Sequence, residues 1–132
     1  MHQKGNYEID ITSVDVFSLA RHGHIQELRA VLEHGVDPNS KDKQGNTVLI
    51  VGAQNGNKAV CKLCLRHGAL INMTNCVGNS ALHFAVEFGY KKLSYYLVQK
   101  GANPHIKNIY GFFAKDGLRV VPESKRCPQA RS

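Results

Sequence analysis

Glycine recurs in this chain at a fixed spacing of 33 residues. The recurrence runs through three separate series: Gly23, Gly56 and Gly89; Gly35, Gly68 and Gly101; and Gly45, Gly78 and Gly111. Three series in phase indicate an internal repeat, in which each copy is one supersecondary unit that stacks on the next. The segments 42–74 and 75–107 are full copies, and 13–41 is a first, mainly helical copy. A chain of 132 residues has room for one such array.

Each copy predicts two helices followed by a hairpin-like loop. Thr47 and Ser80 are side-chain acceptors that suit helix N-caps, and apolar residues follow them at helical spacing. Gly56 and Gly89 end this first helix, because glycine takes the positive φ that a helix C-terminus commonly needs. A second amphipathic helix follows. The connection to the next copy lacks a helical period and contains asparagine and glycine, which favours a tight reversal.

The motifs of the unit resemble those of the ankyrin-repeat family. "GNTVLI" with "GALIN", "GNSALH" with "GANPH", and "GVDPN" match the family's Gly-x-Thr-Pro-Leu-His and later Gly-Ala-Asp-x-Asn, over about residues 16–111. Val48 and Ala81 stand where the family favours proline, and Ile50 where it favours histidine. The resemblance implies an all-α solenoid of stacked helix-turn-helix units joined by β-hairpin-like loops. It also implies hydrogen bonds between Ser80 and His83 that order the turn and the first helix.

The repeat predicts the division of the chain. We expect an N-terminal extension at 1–12, an ankyrin-repeat domain at 13–111 and an atypical C-terminal segment at 112–132, partly disordered. The repeats are expected at 13–41, 42–74 and 75–107, with the start of a broken fourth at 108–111. The fourth copy fails because its Thr-Pro-Leu-His slots hold Phe113, Ala114, Lys115 and Asp116. We expect residues 112–121 to fold back over the third repeat through Phe112, Phe113, Leu118, Val120 and Val121.

Two cysteines and a histidine in "VCKLCLRHG" raise the possibility of a metal site or a redox pair. Cys61 and Cys64 occupy second-helix slots that face the core in the other copies, and a buried cysteine behaves as a small hydrophobe. His67 precedes the closing glycine, where a donor suits a helix C-terminus. A structural zinc site needs four ligands, and the sequence offers no second local pair. The pattern therefore predicts packing, with no metal and no cofactor; a zinc or thiol-redox protein is the remote alternative.

A partner-binding surface follows from the resemblance, because ankyrin stacks bind through a concave face of hairpin tips and first helices. By phase, that face begins with a polar half and ends with an apolar, aromatic half suited to interface hot spots. The predicted partner-binding residues are Arg21, His22, Lys43, Gln44, Asn46, Gln54, Asn55, Val77, Asn79, Glu87, Phe88, Tyr110 and Phe112.

Charge is distributed unevenly along the chain, whose formal net charge is +7. Residues 1–40 are net negative, and the basic residues concentrate from residue 41 onward. This basic part of the chain could attract acidic partners through long-range electrostatics. The second helices carry lysines, and among the aromatic residues only Tyr90, Tyr95 and Tyr96 come near them, which does not favour nucleic acid. No apolar run is long enough for a membrane span, and no signal peptide is visible, so we expect a cytoplasmic protein; nuclear or cytoskeletal association stays open.

These features predict a binding module and no enzyme. No catalytic motif is visible, and each repeat's core residues are used to bury its neighbours, which leaves the surface for function. We expect an adaptor, scaffold or assembly factor that binds another protein as a monomer or as a subunit of a hetero-complex, with no small-molecule substrate. The alternative is a regulatory subunit or inhibitor that occludes an enzyme's active site.

Overall fold

Three pairs of antiparallel helices make up most of the structure, a computed structural model that describes residues 14–118. The pairs are α1 (Val16–Arg21) with α2 (Ile25–Glu33), α3 (Val48–Gln54) with α4 (Lys58–Arg66), and α5 (Ala81–Glu87) with α6 (Lys91–Gln99). A short 3-10 helix at Ala114–Asp116 follows. The described residues contain no β-strand beyond isolated bridges. The fold class predicted from the sequence, an all-α repeat solenoid, is confirmed.

The first helices start at the residues that the sequence predicts. The Thr47 hydroxyl accepts from the Ile50 backbone N–H at 3.1 Å at the start of α3. Before α5, the Ser80 backbone N–H donates to His83 Nδ1 at 3.0 Å, and the Ser80 hydroxyl lies 3.1 Å from the same nitrogen. These contacts occupy backbone donors that have no partner inside the helix.

Histidine closes three helices in the same way. At the ends of α1, α2 and α4, the Nδ1 atoms of His22, His34 and His67 lie 3.0, 2.8 and 3.1 Å from the carbonyl oxygen four residues earlier. Because a carbonyl oxygen only accepts, each Nδ1 donates its proton there. The two "RHG" triplets, at residues 21–23 and 66–68, therefore share a structural role.

Three hairpins connect or follow the helix pairs at the period of the repeat. Their antiparallel bridges join Lys41 to Thr47, Thr74 to Ser80, and Lys107 to Phe113. Neighbouring hairpins bond through their backbones, since Cys76 N–H donates to the Gln44 carbonyl at 3.1 Å and Ile109 N–H to the Val77 carbonyl at 2.8 Å. The hairpins thus form a row beside the helices.

A ladder of buried amides runs through this row. Asn75 Nδ2 donates to Asn46 Oδ1 at 2.9 Å, and Asn108 Nδ2 donates to Asn79 Oδ1 at 3.0 Å. Each donor also orders its own hairpin, because its Oδ1 accepts two backbone N–H groups, as Asn75 does from Val77 and Asn79. Asp42 does the same in the first hairpin. The ladder links consecutive repeats through groups whose burial would be unfavourable without partners.

The core lies between two helical layers. Helices α1, α3 and α5 pack in sequence as the inner layer, and α2, α4 and α6 back them on the outside. Fully buried apolar side chains from both layers fill the interior, including Leu28, Leu49, Phe84 and Leu97. Their helical spacing is what the repeat predicts.

The segment after the third hairpin folds back over the third repeat, as predicted, as far as the structure describes it. The 3-10 helix packs against α5, and Ala114 and Leu118 are buried. The Leu118 backbone N–H donates to a Glu87 carboxylate oxygen at 3.0 Å. The extension at 1–12, Val120, Val121 and residues 122–132, where disorder is predicted, lie outside the described residues.

Candidate interaction surface

A groove of about 440 Å³ opens between the hairpin row and the inner helices. It draws residues from α1, α3, α5 and the first hairpin. Its lining is Arg21, Asp42, Gln44, Asn46, Gln54, Asn55, Phe84 and Phe88. Six of these eight are partner-binding residues that the sequence predicts, so the structure brings together candidates more than 60 residues apart in sequence.

The polar part of the groove combines one cation with several amides and the carboxylate of Asp42. Arg21, Gln44 and Asn55 are exposed, and Gln54 is half-buried. The Asn55 amide closes α3 by donating to the Val51 carbonyl at 2.9 Å, which holds the side chain at the groove. The arrangement presents a guanidinium and carboxamides to an incoming chain, which suits recognition of backbone carbonyls and carboxylates.

Phe88 supplies the apolar part. Its side chain is 38% exposed and follows directly after α5. The centroid of its ring lies 6.3 Å from that of Phe84 and 6.0 Å from that of Tyr90. An aromatic ring held by two others and still accessible is the kind of group that forms a binding hot spot.

Three predicted contact residues do not present an open surface. Asn46 is 4%, Asn79 1% and Val77 0% exposed. The two asparagines are the acceptors of the amide ladder, and the Val77 carbonyl accepts from the Ile109 N–H of the third hairpin. Their role in partner binding stays a prediction, and their buried side chains leave little surface for it. Asn46 and Asn79 recur at the repeat spacing, and this recurrence could have indicated a structural role for both. No sequence pattern indicates the burial of Val77.

Two further predicted residues accept hydrogen bonds from other residues of the same chain. The Glu87 carboxylate accepts a hydrogen bond from the Leu118 backbone N–H, and the Phe112 carbonyl accepts one from His83 Nε2 at 3.0 Å. Glu87 is nevertheless exposed, and the Phe112 side chain is half-buried. The chain's own C-terminal segment thus contacts one residue of the predicted face, Glu87, and leaves it exposed.

The remaining candidates lie toward the ends of the row. Tyr110, on the tip of the third hairpin, is 49% exposed, and Lys43, in the first hairpin, is exposed. The exposed His22 uses Nδ1 to close α1, which leaves Nε2 as its acceptor. Sequence reasoning missed Asp42 and Phe84 as lining residues, because each also has a structural role, in a turn and in the core.

Cys61 and Cys64 pack in the core, as predicted. Both are 0% exposed, and Cys61 Sγ lies 3.8 Å from the Leu49 carbonyl oxygen. Burial raises the pKa of Cys61 and raises that of Cys64 to about 12, so both thiols stay protonated at neutral pH. Metal ligation needs thiolates. Within residues 14–118 no group of three or more His, Cys, Asp or Glu side chains is placed to hold a metal ion.

Stacked helix pairs with a groove between hairpins and inner helices define a helical-repeat protein. The sequence pattern of ankyrin repeats matches residues 17–108 in three copies. The chain belongs to the ankyrin-repeat family. Ankyrin repeats are protein–protein interaction modules, and the fold itself is not catalytic. The resemblance predicted from the motifs is confirmed.

Three relatives illustrate the range of proteins that share this region. The mouse B-cell lymphoma 3 protein homolog is 37% identical over 73% of this chain, and the chicken nuclear factor NF-kappa-B p105 subunit is 29% identical over 85%. The zebrafish putative palmitoyltransferase ZDHHC13 is 26% identical over 83%. The matches cover 21%, 12% and 17% of those proteins. The chain therefore spans a minor part of the relatives that it matches.

None of the helices between residues 14 and 118 combines the length and the apolar character that crossing a membrane requires.

Proposed function

We propose that this protein is an adaptor that binds a partner protein through the groove between its hairpins and inner helices. The observation that carries the proposal is the composition of the groove. It combines Arg21, Gln44, Gln54 and Asn55 with the partly exposed Phe88 in one concavity of about 440 Å³. A polar rim around an aromatic anchor is the usual anatomy of a protein-binding site.

The fold supports this proposal by leaving Arg21, Gln44, Asn55 and Phe88 exposed at the groove. The inner helices use their apolar faces for packing, while Arg21 and Asn55 lie just at helix ends, outside the core. Substitution of these side chains therefore changes the surface with little effect on burial.

Affinity purification of the tagged protein from its native cells tests the proposal, followed by measurement of the dissociation constant for each recovered protein. The test variants are Phe88→Ser and the double variant Arg21→Ala, Gln54→Ala. The matched control is Leu70→Ser, which changes a side chain that is 60% exposed and does not line the groove. Loss of a hot-spot aromatic weakens binding by about 2 kcal/mol, or about thirtyfold.

We expect a partner that is recovered with the native protein and with Leu70→Ser, and is weakened or lost with both groove variants. Circular dichroism confirms that each variant is folded. Equal affinity for all four proteins would contradict the proposal. If the partner is an enzyme, its turnover in the presence of this chain separates an adaptor from an inhibitor.

A further inference from the structure

The outer face of the stack changes its charge from one repeat to the next. Helix α2 contains Glu27 and Glu33, whereas α4 and α6 contain no acidic residue. Helix α4 carries Lys58, Lys62 and Arg66, and α6 carries Lys91 and Lys92 and is closed by Lys100. The second and third repeats therefore present a continuous basic surface on the side away from the hairpin groove.

A groove of about 590 Å³ lies within this basic surface, between α4 and α6. Its lining is Lys62, Leu65, Arg66, Ala69, Ile71, Tyr96 and Lys100. The three cationic side chains are exposed, and the apolar ones are half-buried. The groove thus combines a cationic rim with an apolar floor.

Tyr96 lies at the centre of these charges. The ammonium groups of Lys58 and Lys100 are 5.0 and 5.7 Å from the centroid of its ring. Burial raises the pKa of the Tyr96 hydroxyl, and the positive charge of Arg66 opposes this shift only in part. At neutral pH the hydroxyl is therefore protonated and can donate a hydrogen bond.

The cations of the groove have no acidic partner in the described part of the chain. Two ion pairs in residues 14–118 join His24 to Glu27 and Lys115 to Asp116, on other parts of the surface. The ammonium groups of Lys58 and Lys100 lie over the Tyr96 ring instead of against a carboxylate of the described residues. Several like charges around one concavity raise the local potential and attract an anionic ligand over about 10 Å at moderate ionic strength.

We propose that the groove between α4 and α6 binds an acidic segment of a partner protein, with glutamate or aspartate next to a large apolar residue. The carboxylates pair with Lys62, Arg66 and Lys100, and the apolar side chain packs on Leu65 and Ile71. This second site lies on the opposite layer from the hairpin groove, so the protein can hold two segments at once. The two sites together would make the chain a connector of two binding partners.

An acidic peptide fits the groove better than a nucleic acid does. Single-stranded nucleic acids bind by stacking bases on accessible aromatic rings. In this groove the aromatic ring is Tyr96, and a stacked base would compete with two ammonium groups that already lie over it. The apolar floor offers contacts to a leucine or isoleucine side chain that a sugar-phosphate backbone does not use.

Fluorescence anisotropy with a labelled peptide tests the proposal. The probe is a peptide in which pairs of glutamates alternate with single leucines, and a matched peptide carries serine in place of leucine. The test variant is Lys62→Ala with Arg66→Ala. The control is Lys91→Ala with Lys92→Ala, which removes the same charge from exposed positions outside the groove. A labelled oligothymidylate serves as the nucleic-acid probe.

We expect the leucine peptide to bind the native protein, with affinity that falls as salt is added. The Lys62→Ala, Arg66→Ala variant should weaken it about tenfold, and the Lys91→Ala, Lys92→Ala control less than about threefold. The serine peptide should bind more weakly than the leucine peptide. The Phe88→Ser variant should bind the leucine peptide as the native protein does, so this site and the hairpin groove are tested independently.

Three outcomes would overturn the proposal. The first is that the leucine peptide does not bind. The second is that the two lysine-containing double variants lose affinity equally, which would indicate diffuse attraction by net charge. The third is that the oligothymidylate binds more tightly than the peptide and depends on Lys62 and Arg66, which would make the groove a nucleic-acid site.

Discussion

His83 joins two consecutive repeats through a single imidazole ring. Its Nδ1 accepts from the Ser80 backbone N–H, and its Nε2 donates to the Phe112 carbonyl in the following hairpin. The ring is fully buried and must be neutral to accept at Nδ1. Burial lowers the pKa of His83, and the bond to Phe112 opposes this shift only in part.

Acid should therefore destabilise the protein through His83. A histidine with a lowered pKa in the folded state contributes stability that is present above the unfolded value of 6.5 and is lost as pH falls toward the folded value. We expect the free energy of unfolding to decrease by up to about 1.4 kcal/mol per pH unit in that window because of this one group. Urea titrations between about pH 7.5 and 5 measure the slope.

A His83→Gln variant separates this residue from the other histidines. Glutamine keeps an acceptor and a donor but does not titrate, so the variant should be less stable at neutral pH and should show a shallower loss in acid. The same pH slope in native protein and variant would contradict the assignment to His83.

At the residue scale, sequence reasoning succeeded where a role is local. The contacts between Ser80 and His83 span three residues, and the burial of Cys61 and Cys64 follows from their helical phase. It did not predict the burial of Asn46 and Asn79, whose amides bond to the next hairpin, 29 residues away. Polarity alone suggests exposure, and only the neighbouring hairpin explains why these amides are buried.

At the scale of the element, the hairpins depend on how closely they approach one another. Gly78 and Gly111 occupy the same place in successive hairpins, and each has a φ of 86°. A Cβ on Gly78 would lie 2.9 Å from Asn108 Cα, whereas a Cβ on Gly111 would meet no atom of the described residues within 4 Å. The two glycines thus share a backbone conformation and differ in their surroundings.

Alanine at these two positions should have unequal effects. Both substitutions incur the strain of a left-handed conformation, about 1 kcal/mol. Gly78→Ala must in addition push the second and third hairpins apart, so we expect it to lose more free energy of unfolding than Gly111→Ala. Chemical denaturation of the two variants measures the difference. Equal losses would mean that the hairpins are not in close contact.

The helices were predictable at this scale and the hairpin row was only partly so. Capping residues and apolar spacing recur within each copy, so Thr47 and Ser80 marked the starts of α3 and α5 correctly. The backbone bonds from Cys76 to Gln44 and from Ile109 to Val77 join different copies. The sequence of a single copy contains no pattern that predicts hydrogen bonds to another copy.

At the scale of the whole molecule, the fold-back of the C-terminal segment closes the third repeat. Leu118 is 4% exposed, and its N–H bonds to the Glu87 carboxylate. The Ala114 N–H donates to the Ile106 carbonyl at 2.9 Å, and the Lys115 N–H donates to the Pro104 carbonyl at the same distance. The contact from Glu87 to Leu118 does not recur in the other copies, so the period predicted the break but not this bond.

Truncation of Leu118 should loosen this closure. We expect Leu118→Ala to lower the free energy of unfolding by about 2 kcal/mol, near the lower end for a buried leucine because the site is at the edge of the core. Leu70→Ala, at a side chain that is 60% exposed, is the control with little expected change. Hydrogen exchange should show protected amides at Ala114, Lys115 and Leu118 in the native protein. Rapid exchange throughout residues 112–118 would contradict the fold-back.

The amide ladder also determines how far the hairpin row can extend. Each step needs an amide that donates backward and an amide oxygen that accepts from the next hairpin. Asp42 holds the first donor position and has no amide hydrogen, while Phe112 holds the last acceptor position and has no side-chain oxygen. The ladder of side-chain hydrogen bonds therefore cannot continue beyond Asp42 at one end or beyond Phe112 at the other. Two copies of this chain could therefore not join their hairpin rows end to end by the same side-chain bonds.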